Sequence, residues 1–136
     1  MIFDHLAKKE KPLVLANALK NSRRNHQIAL GVTACLALLI AYLTLTPMPN
    51  LTLAGSDKTH HLIAFAALTM PAAALYRRAL AWLLPSAIVF GGLIEVLQPY
   101  VNRHGEWADF IADALGAILG VILGLILRRL FRHMFD

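Results

Sequence analysis

Residues 27–45 include no charged side chain, and this run of nineteen residues limits the fold more than any other feature. An α-helix rises about 1.5 Å per residue, so a helix over this run is roughly 28 Å long, close to the thickness of a bilayer's hydrocarbon core. Pro47 and Pro49 follow and are expected to end the helix. Three more apolar runs come after them, so we expect four transmembrane spans, over about 27–45, 58–75, 79–98 and 107–127.

The composition also indicates a membrane protein. Hydrophobic residues make up 58% of the 136 residues and charged residues 15%, against roughly 45–50% and about 25% in soluble domains. A single domain of this length cannot cover so much apolar surface with polar side chains. We therefore predict an all-α membrane protein, a four-transmembrane-helix bundle with an N-terminal basic amphipathic interfacial segment.

The basic residues divide the chain into three parts. Residues 1–26 contain six Lys or Arg, and we expect them to lie on the membrane surface, with any helix broken at Pro12. Residues 27–127 form the predicted membrane domain, and residues 128–136 form a basic tail. Eleven of the thirteen Lys and Arg fall on the side of the termini, which predicts that both termini are cytoplasmic in a bacterial-type inner membrane. No basic stripe with interleaved aromatic residues is found, so nucleic acid is not an expected partner, whereas membrane lipids are.

Acidic residues concentrate at the membrane face opposite the termini. Five of the eight acids fall at the ends of spans two to four, namely Asp57, Glu95, Glu106, Asp109 and Asp113. An ionised side chain within a span costs about 2.5–3.5 kcal/mol on insertion scales, so these acids need partners or water. The cations at this face are Lys58 and Arg103, and they are outnumbered. The layer is therefore predicted to take up a proton, a cation or a cationic group of a ligand.

The fourth span combines acids with glycines on one helical face. Asp109 and Asp113 are four residues apart, and Gly116, Gly120 and Gly124 continue approximately the same stripe at the same interval. Glycines at this interval allow another helix to approach closely. We predict that the three glycines pack helices together and that the carboxylates point into the bundle. The sequence leaves open whether copies of the chain also associate, as a homo-oligomer, through glycine-containing helix faces that the bundle does not use.

Three motifs follow one another along this layer. They are the run Asp57-Lys58-Thr59-His60-His61 with Phe65 and Leu68, the run Gly91-Gly92-Leu93-Ile94-Glu95 with Gln98, and the set Arg103, Asp109, Asp113, Gly116 and Gly120. In this order they resemble the D-K-x-x-H, G-x-x-x-E-x-x-Q and R…D-x-x-x-N/D-x-x-G-x-x-x-G segments of the VanZ-like family. The resemblance covers residues 47–124, more than half of the chain.

The resemblance implies a small polytopic protein of the cell envelope. The family's founding member is associated with low-level resistance to the glycopeptide antibiotic teicoplanin, although a shared fold does not transfer that phenotype to every member. Two positions depart from the family pattern. Asp113 stands where Asn is common, and Glu106 stands where a small hydroxyl residue is often found. Both departures add negative charge to the layer.

The sequence leaves three functional interpretations open. In the first, the layer is an outward-facing pocket that binds the head group of an envelope lipid or lipid-linked precursor. Its expected ligand-binding residues are Lys58, Gln98, Arg103 and Asp113, and Lys58, His61 and Arg103 are expected to contact phosphate. The other non-catalytic interpretation is structural: the polar residues contact one another only to hold the helices of the bundle together.

The second interpretation is a hydrolase or transferase that acts on a lipid-linked phosphate. Its candidate catalytic residues are His61, Asp57, Glu95 and Asp109. His61 would be the general base or nucleophile, oriented by Asp57, and Glu95 or Asp109 would be the acid. A divalent metal bound by the same four residues is a variant of this interpretation that the spacing does not favour, so no metal site or cofactor is assigned.

Overall fold

The computed structural model describes the backbone of residues 2–46 and 57–131, and within these ranges the side chains from residue 15 onward. The described residues form four long α-helices and no strand: α1 (Ile2–Leu45), α2 (Asp57–Leu75), α3 (Leu80–Leu97) and α4 (Trp107–Leu130). Short 3-10 helices cover Arg77–Ala79 and Gln98–Val101. The all-helical prediction with four helices is confirmed. The predicted stop at Pro47 and Pro49 and residues 132–136 of the tail lie outside the described residues.

Helix α1 is much longer than predicted. It runs unbroken from Ile2 to Leu45, so the predicted break at Pro12 is wrong. A proline inside a helix removes one backbone hydrogen bond and crowds a carbonyl group of the preceding turn, but the Lys, Leu and Ala residues on both sides of Pro12 favour helix. The part of α1 with described side chains, Leu15–Leu45, contains a stretch apolar enough to cross a membrane, and the charge-free run of the predicted span, residues 27–45, lies within it. The surface position of residues 1–26 stays a prediction.

Three helical segments are long and apolar enough to cross a membrane: Leu15–Leu45, Arg77–Val101 and Trp107–Leu130. Helix α2 falls outside this group because its first turns contain Asp57, Lys58 and two histidines. It is the central helix of the bundle and contacts α1, α3 and α4. Since its neighbours cover much of its surface, α2 does not need an apolar side chain on every face.

The closest helix pair is α2 with α4, and glycines set its spacing. A Cβ atom added at Gly116, Gly120 or Gly124 would collide with a carbonyl oxygen of α2. The three carbonyl groups belong to Leu62, Ala66 and Met70, which recur at the same four-residue interval. The structure therefore places the predicted glycine stripe against the backbone of α2 along more than two turns, and only residues without a side chain permit this approach.

Two arginines donate hydrogen bonds to carbonyl groups at the C-terminal ends of helices. Arg103 donates to the carbonyl groups of Leu43 at 3.1 Å and Thr46 at 3.4 Å, at the end of α1. Arg128 donates to the carbonyl group of Ala74 at 3.1 Å, at the end of α2. These carbonyl groups have no partner within their own helix, so each arginine satisfies and fixes a helix end.

The two ends of the bundle differ in charge. At the end where α2 finishes, an open cavity of about 610 Å³ has a lining that includes Ser22, Asn25, Tyr76, Arg77, Arg78 and Arg128. The arginines of the α2–α3 connection and of α4 therefore meet there, next to polar residues of α1. The acidic residues lie at the other end, where α2 and α4 begin and α3 finishes. The fold thus brings the acidic residues of three helices close together at one end of the bundle.

Candidate functional site

Seven ionisable side chains converge where α2 and α4 begin and α3 finishes, and we call them the polar cluster. They are Asp57, Lys58, His61, Glu95, Glu106, Asp109 and Asp113. Five are acids, and the described part of the cluster has one lysine and one histidine to oppose them. Helix α2 supplies three members, α3 one, and α4 with its preceding residue three.

The centre of the cluster is a buried pair between His61 and Asp113. The Nδ1 atom of His61 lies 2.9 Å from Oδ1 of Asp113, and the Asp113 side chain is fully buried. An ionised carboxylate only accepts hydrogen bonds, so this contact places the imidazole proton on Nδ1 and fixes the orientation of the ring. The Oε1 atom of Glu95 lies 3.9 Å from the same nitrogen. Side chains from α2, α3 and α4 therefore meet at His61.

The outer edge of the cluster is a partly exposed ion pair. Lys58 Nζ lies 3.0 Å from Oε2 of Glu106 and 3.6 Å from Oδ1 of the buried Asp109. The hydrogen bond and the positive charge of Lys58 hold the pKa of the Glu106 carboxyl below its usual value. Lys58 thus provides the positive charge nearest to Asp109, and it lies between the buried Asp109 and the surface of the protein.

The connection between α3 and α4 holds Glu95 in place. The backbone N–H of Glu106 donates to Oε2 of Glu95 at 2.7 Å. The buried Gln98 amide, in the orientation that satisfies both of its polar atoms, donates to the same Oε2 and to the carbonyl group of His104, each at 3.2 Å. Asn102 takes the left-handed backbone conformation, with φ of 59°, that this tight connection requires.

Three carboxylate oxygens of the cluster are buried and have no hydrogen-bond partner among the described residues. They are Oε1 of Glu95, Oδ1 of Asp109 and Oδ2 of Asp113. Buried polar atoms in folded proteins are almost always paired, because an unpaired one loses its hydration without compensation. The cluster therefore has acceptor capacity that its own side chains leave unused.

A groove of about 380 Å³ between α3 and α4 adjoins the cluster. Its walls are mainly apolar, and its lining includes Gly92, Glu95, Val96, Glu106, Trp107 and Phe110. The Trp107 side chain is 82% exposed and forms one edge of the groove. Glu95 belongs to both the groove and the polar cluster, so the apolar surface leads directly to the buried carboxylates.

The structure brings most of the predicted site residues together and separates one of them. His61, Asp57, Glu95 and Asp109 are in the cluster, as are Lys58 and Asp113, and Gln98 contacts Glu95 directly. Arg103 donates instead to carbonyl groups of α1, which is a different role from phosphate contact.

Two features escaped the sequence interpretation. Asp57 was expected to orient His61, but the carboxylate that accepts the hydrogen bond from Nδ1 of His61 is that of Asp113 on another helix. Glu106 pairs with Lys58 at the outer edge of the cluster, although the sequence analysis placed it in the acidic layer without including it among the candidate site residues. Its position immediately before α4, three residues ahead of Asp109, was the signal that could have marked it.

No protein-family model, curated protein or solved structure matches this chain. The relationship to the VanZ-like family accordingly stays a prediction from the three motifs.

Proposed function

We propose that this protein binds an amphipathic lipid of the cell envelope, with the head group at the polar cluster and the chain in the groove between α3 and α4. In this proposal it is a VanZ-like protein of a bacterial-type cytoplasmic membrane, and α2 crosses the membrane as a fourth span. The polar cluster then faces outward and both termini face the cytoplasm.

The observation that carries the proposal is the shared position of Glu95. One of its carboxylate oxygens is held by the α3–α4 connection, and the residue also lines the apolar groove. A ligand that fills the groove therefore reaches the cluster without crossing a barrier of protein. An apolar channel with a charged end suits a molecule that has a hydrocarbon chain and a polar head group.

The charge of the cluster narrows the class of head group. Five acids face one lysine and one histidine, and the guanidinium of Arg103 is directed to the end of α1. A bare phosphate would meet mainly carboxylates here and would be repelled. The cluster favours a head group that brings positive charge, which means an amine or a phosphate accompanied by a divalent cation.

A hydrolase or transferase that acts on such a lipid is a second candidate, and the buried His61–Asp113 pair favours it. A carboxylate that fixes the tautomer of a histidine is a common arrangement around a general base. Glu95, 3.9 Å from the same imidazole, would be the acid. If the protein is such an enzyme, we expect His61→Gln to stop turnover. Lipid retention should be unchanged, because the groove and the other residues of the polar cluster still contact the chain and the head group.

Filling the groove tests the lipid-binding proposal. A Cβ atom at Gly92 would meet the Phe110 ring at an ordinary 3.6 Å, so Gly92→Leu directs its longer side chain into the groove without a backbone clash. Gly31→Leu is the matched control, because a Cβ atom there meets nothing within 4 Å. We expect native mass spectrometry to detect a co-purified lipid on the wild type and on Gly31→Leu, and its loss from Gly92→Leu. A wild type without bound lipid, or equal retention by both variants, would contradict the proposal.

A further inference from the structure

The three side chains at the centre of the cluster have the arrangement of metal ligands. We propose that His61, Glu95 and Asp113 bind one divalent transition-metal ion, Zn²⁺ or Mn²⁺, between α2, α3 and α4. The imidazole and the two carboxylates each offer one ligand atom, and these atoms all lie within 4.8 Å of one another. The inference goes beyond lipid binding and does not depend on it.

The distances suit a single ion. Metal–nitrogen and metal–oxygen bonds of about 2.0–2.2 Å place neighbouring ligand atoms roughly 3 Å apart and opposite ones roughly 4 Å apart. The pair formed by His61 Nδ1 and Asp113 Oδ1 is 2.9 Å apart, and Glu95 Oε1 is 3.9 Å from the same nitrogen. The ion takes the place of the proton on Nδ1, which is released to solvent when the neutral imidazole binds the metal. A small rotation of the Glu95 side chain completes the set, since its Oε2 remains the atom held by the α3–α4 connection.

The unpaired oxygens provide the second, independent reason. Asp113 is fully buried and its Oδ2 atom has no hydrogen-bond partner, and Oε1 of Glu95 is also buried without one. A cation among these atoms compensates both carboxylates at once. A proton bound by one of these two carboxylates is the competing explanation, because it also removes negative charge. Unlike a metal ion, a proton adds no bond that joins all three helices.

The ligand types select the class of metal. The carboxylates suit Mg²⁺, Ca²⁺ or Mn²⁺ and the imidazole suits Zn²⁺, so the mixed set favours Zn²⁺ or Mn²⁺ over Mg²⁺ or Ca²⁺. Gly91 makes room for the arrangement on α3, because a Cβ atom there would lie 2.9 Å from Oδ2 of Asp113. Asp57 is exposed and lies close to His61 and Asp109 in a second group of three, so it offers an approaching cation a first contact from outside.

Metal content and thermal unfolding of the full-length protein test the inference. Protein purified in mild detergent is stripped with a chelator and titrated with Zn²⁺, Mn²⁺ or Mg²⁺ alone. We expect about one Zn²⁺ or Mn²⁺ per chain after desalting and a Tm that rises with the concentration of either ion, because an ion that binds only the folded state stabilises it. Mg²⁺ should be retained at a much lower level. A wild type that retains neither transition metal and shows no shift of Tm overturns the inference.

Neighbouring histidines supply the matched variants that locate the ion. His61→Gln should lose the bound metal, whereas His60→Gln, which changes the preceding and unassigned histidine, should keep it. Equal retention would exclude His61 as a ligand and indicate nonspecific binding to the acidic layer, and equal loss would show that the effect is not specific to His61. Either result overturns the inference.

A second variant covers the case in which His61→Gln does not fold. Gly91→Ala leaves all three ligands in place but crowds Oδ2 of Asp113, so we expect metal affinity to fall roughly 10-fold or more, in the range found for residues that orient metal ligands. Unchanged affinity in Gly91→Ala counts against the site. Gly92→Leu separates the two proposals, because it should release lipid and retain metal.

Discussion

The two oxygens of the Glu95 carboxylate have different surroundings, and this difference links the parts of the site. Oε2 accepts hydrogen bonds from the Glu106 backbone and the Gln98 amide, while Oε1 is buried and faces His61 at 3.9 Å. The carboxylate can therefore rotate only slightly while Oε2 keeps its hydrogen bonds to the α3–α4 connection. A head group in the groove and the buried His61–Asp113 pair are thereby connected through one residue.

The exposed ion pair at the cluster's edge gives a prediction about pH. Lys58 lowers the pKa of Glu106, first through their hydrogen bond and then through its charge. A carboxyl whose pKa is lower in the folded protein contributes stability above its usual pKa and loses it as the pH falls through the lowered value. We expect Lys58→Gln to raise the pKa of Glu106 toward the usual value, and Lys58→Arg to keep it low.

Nuclear magnetic resonance of protein labelled at the glutamate carboxyl carbons measures this directly, because Glu106 can be assigned by its absence in Glu106→Gln. A titration midpoint of Glu106 that does not move in Lys58→Gln would show that Lys58 does not cause the shift, and would point to the nearby charge of His104 instead.

At the scale of elements, the close approach of α2 and α4 gives a prediction about packing. A Cβ atom at Gly120 would collide with the Ala66 carbonyl group and with the hydroxyl of Thr69, which donates a 2.9 Å hydrogen bond to the carbonyl group of Ala117. We expect Gly120→Ala to lower the free energy of unfolding by about 1–3 kcal/mol, the usual cost of overpacking. Gly31→Ala, with nothing within 4 Å of the added atom, should leave it almost unchanged. Unfolding in sodium dodecyl sulfate measures both, and equal stability of the two variants would contradict the packing argument.

Sequence reasoning predicted what lies within one helix and missed what depends on contacts between helices. The stripe of Asp113 and the three glycines follows from a four-residue interval, and it does lie on a buried face. The bond between His61 and Asp113 joins residues 52 positions apart, and no local spacing indicates it. Arg103 similarly reaches the end of α1 through tertiary structure. The length of α1 was underestimated because charge was taken as a boundary, although lysine and arginine favour helix.

For the whole molecule, the unequal distribution of charge bears on how the chain lies in a membrane. The basic cavity and the polar cluster are at opposite ends of α2, so a membrane that contains α2 would separate them. Helix α2 is the one long helix of the described residues that is not apolar enough to cross a membrane by composition, and it is also the most enclosed by protein. Its burial removes the requirement for a lipid-compatible surface, which is why hydropathy alone undercounts the proposed spans.

Labelling of single cysteines distinguishes four spans from three. Cys35, the natural cysteine, is replaced by Ala, and Ser22→Cys or His104→Cys, both at exposed positions, is then introduced. If α2 crosses the membrane, positions 22 and 104 lie on opposite sides; if it does not, α1 and α3 alone separate them and they lie on the same side. With both termini cytoplasmic, we expect a membrane-impermeant maleimide to label His104→Cys in intact cells and Ser22→Cys only after permeabilisation. If intact cells label both variants or neither, the two positions lie on the same side and α2 does not cross the membrane. If intact cells label Ser22→Cys and not His104→Cys, the orientation is inverted and the polar cluster faces the cytoplasm.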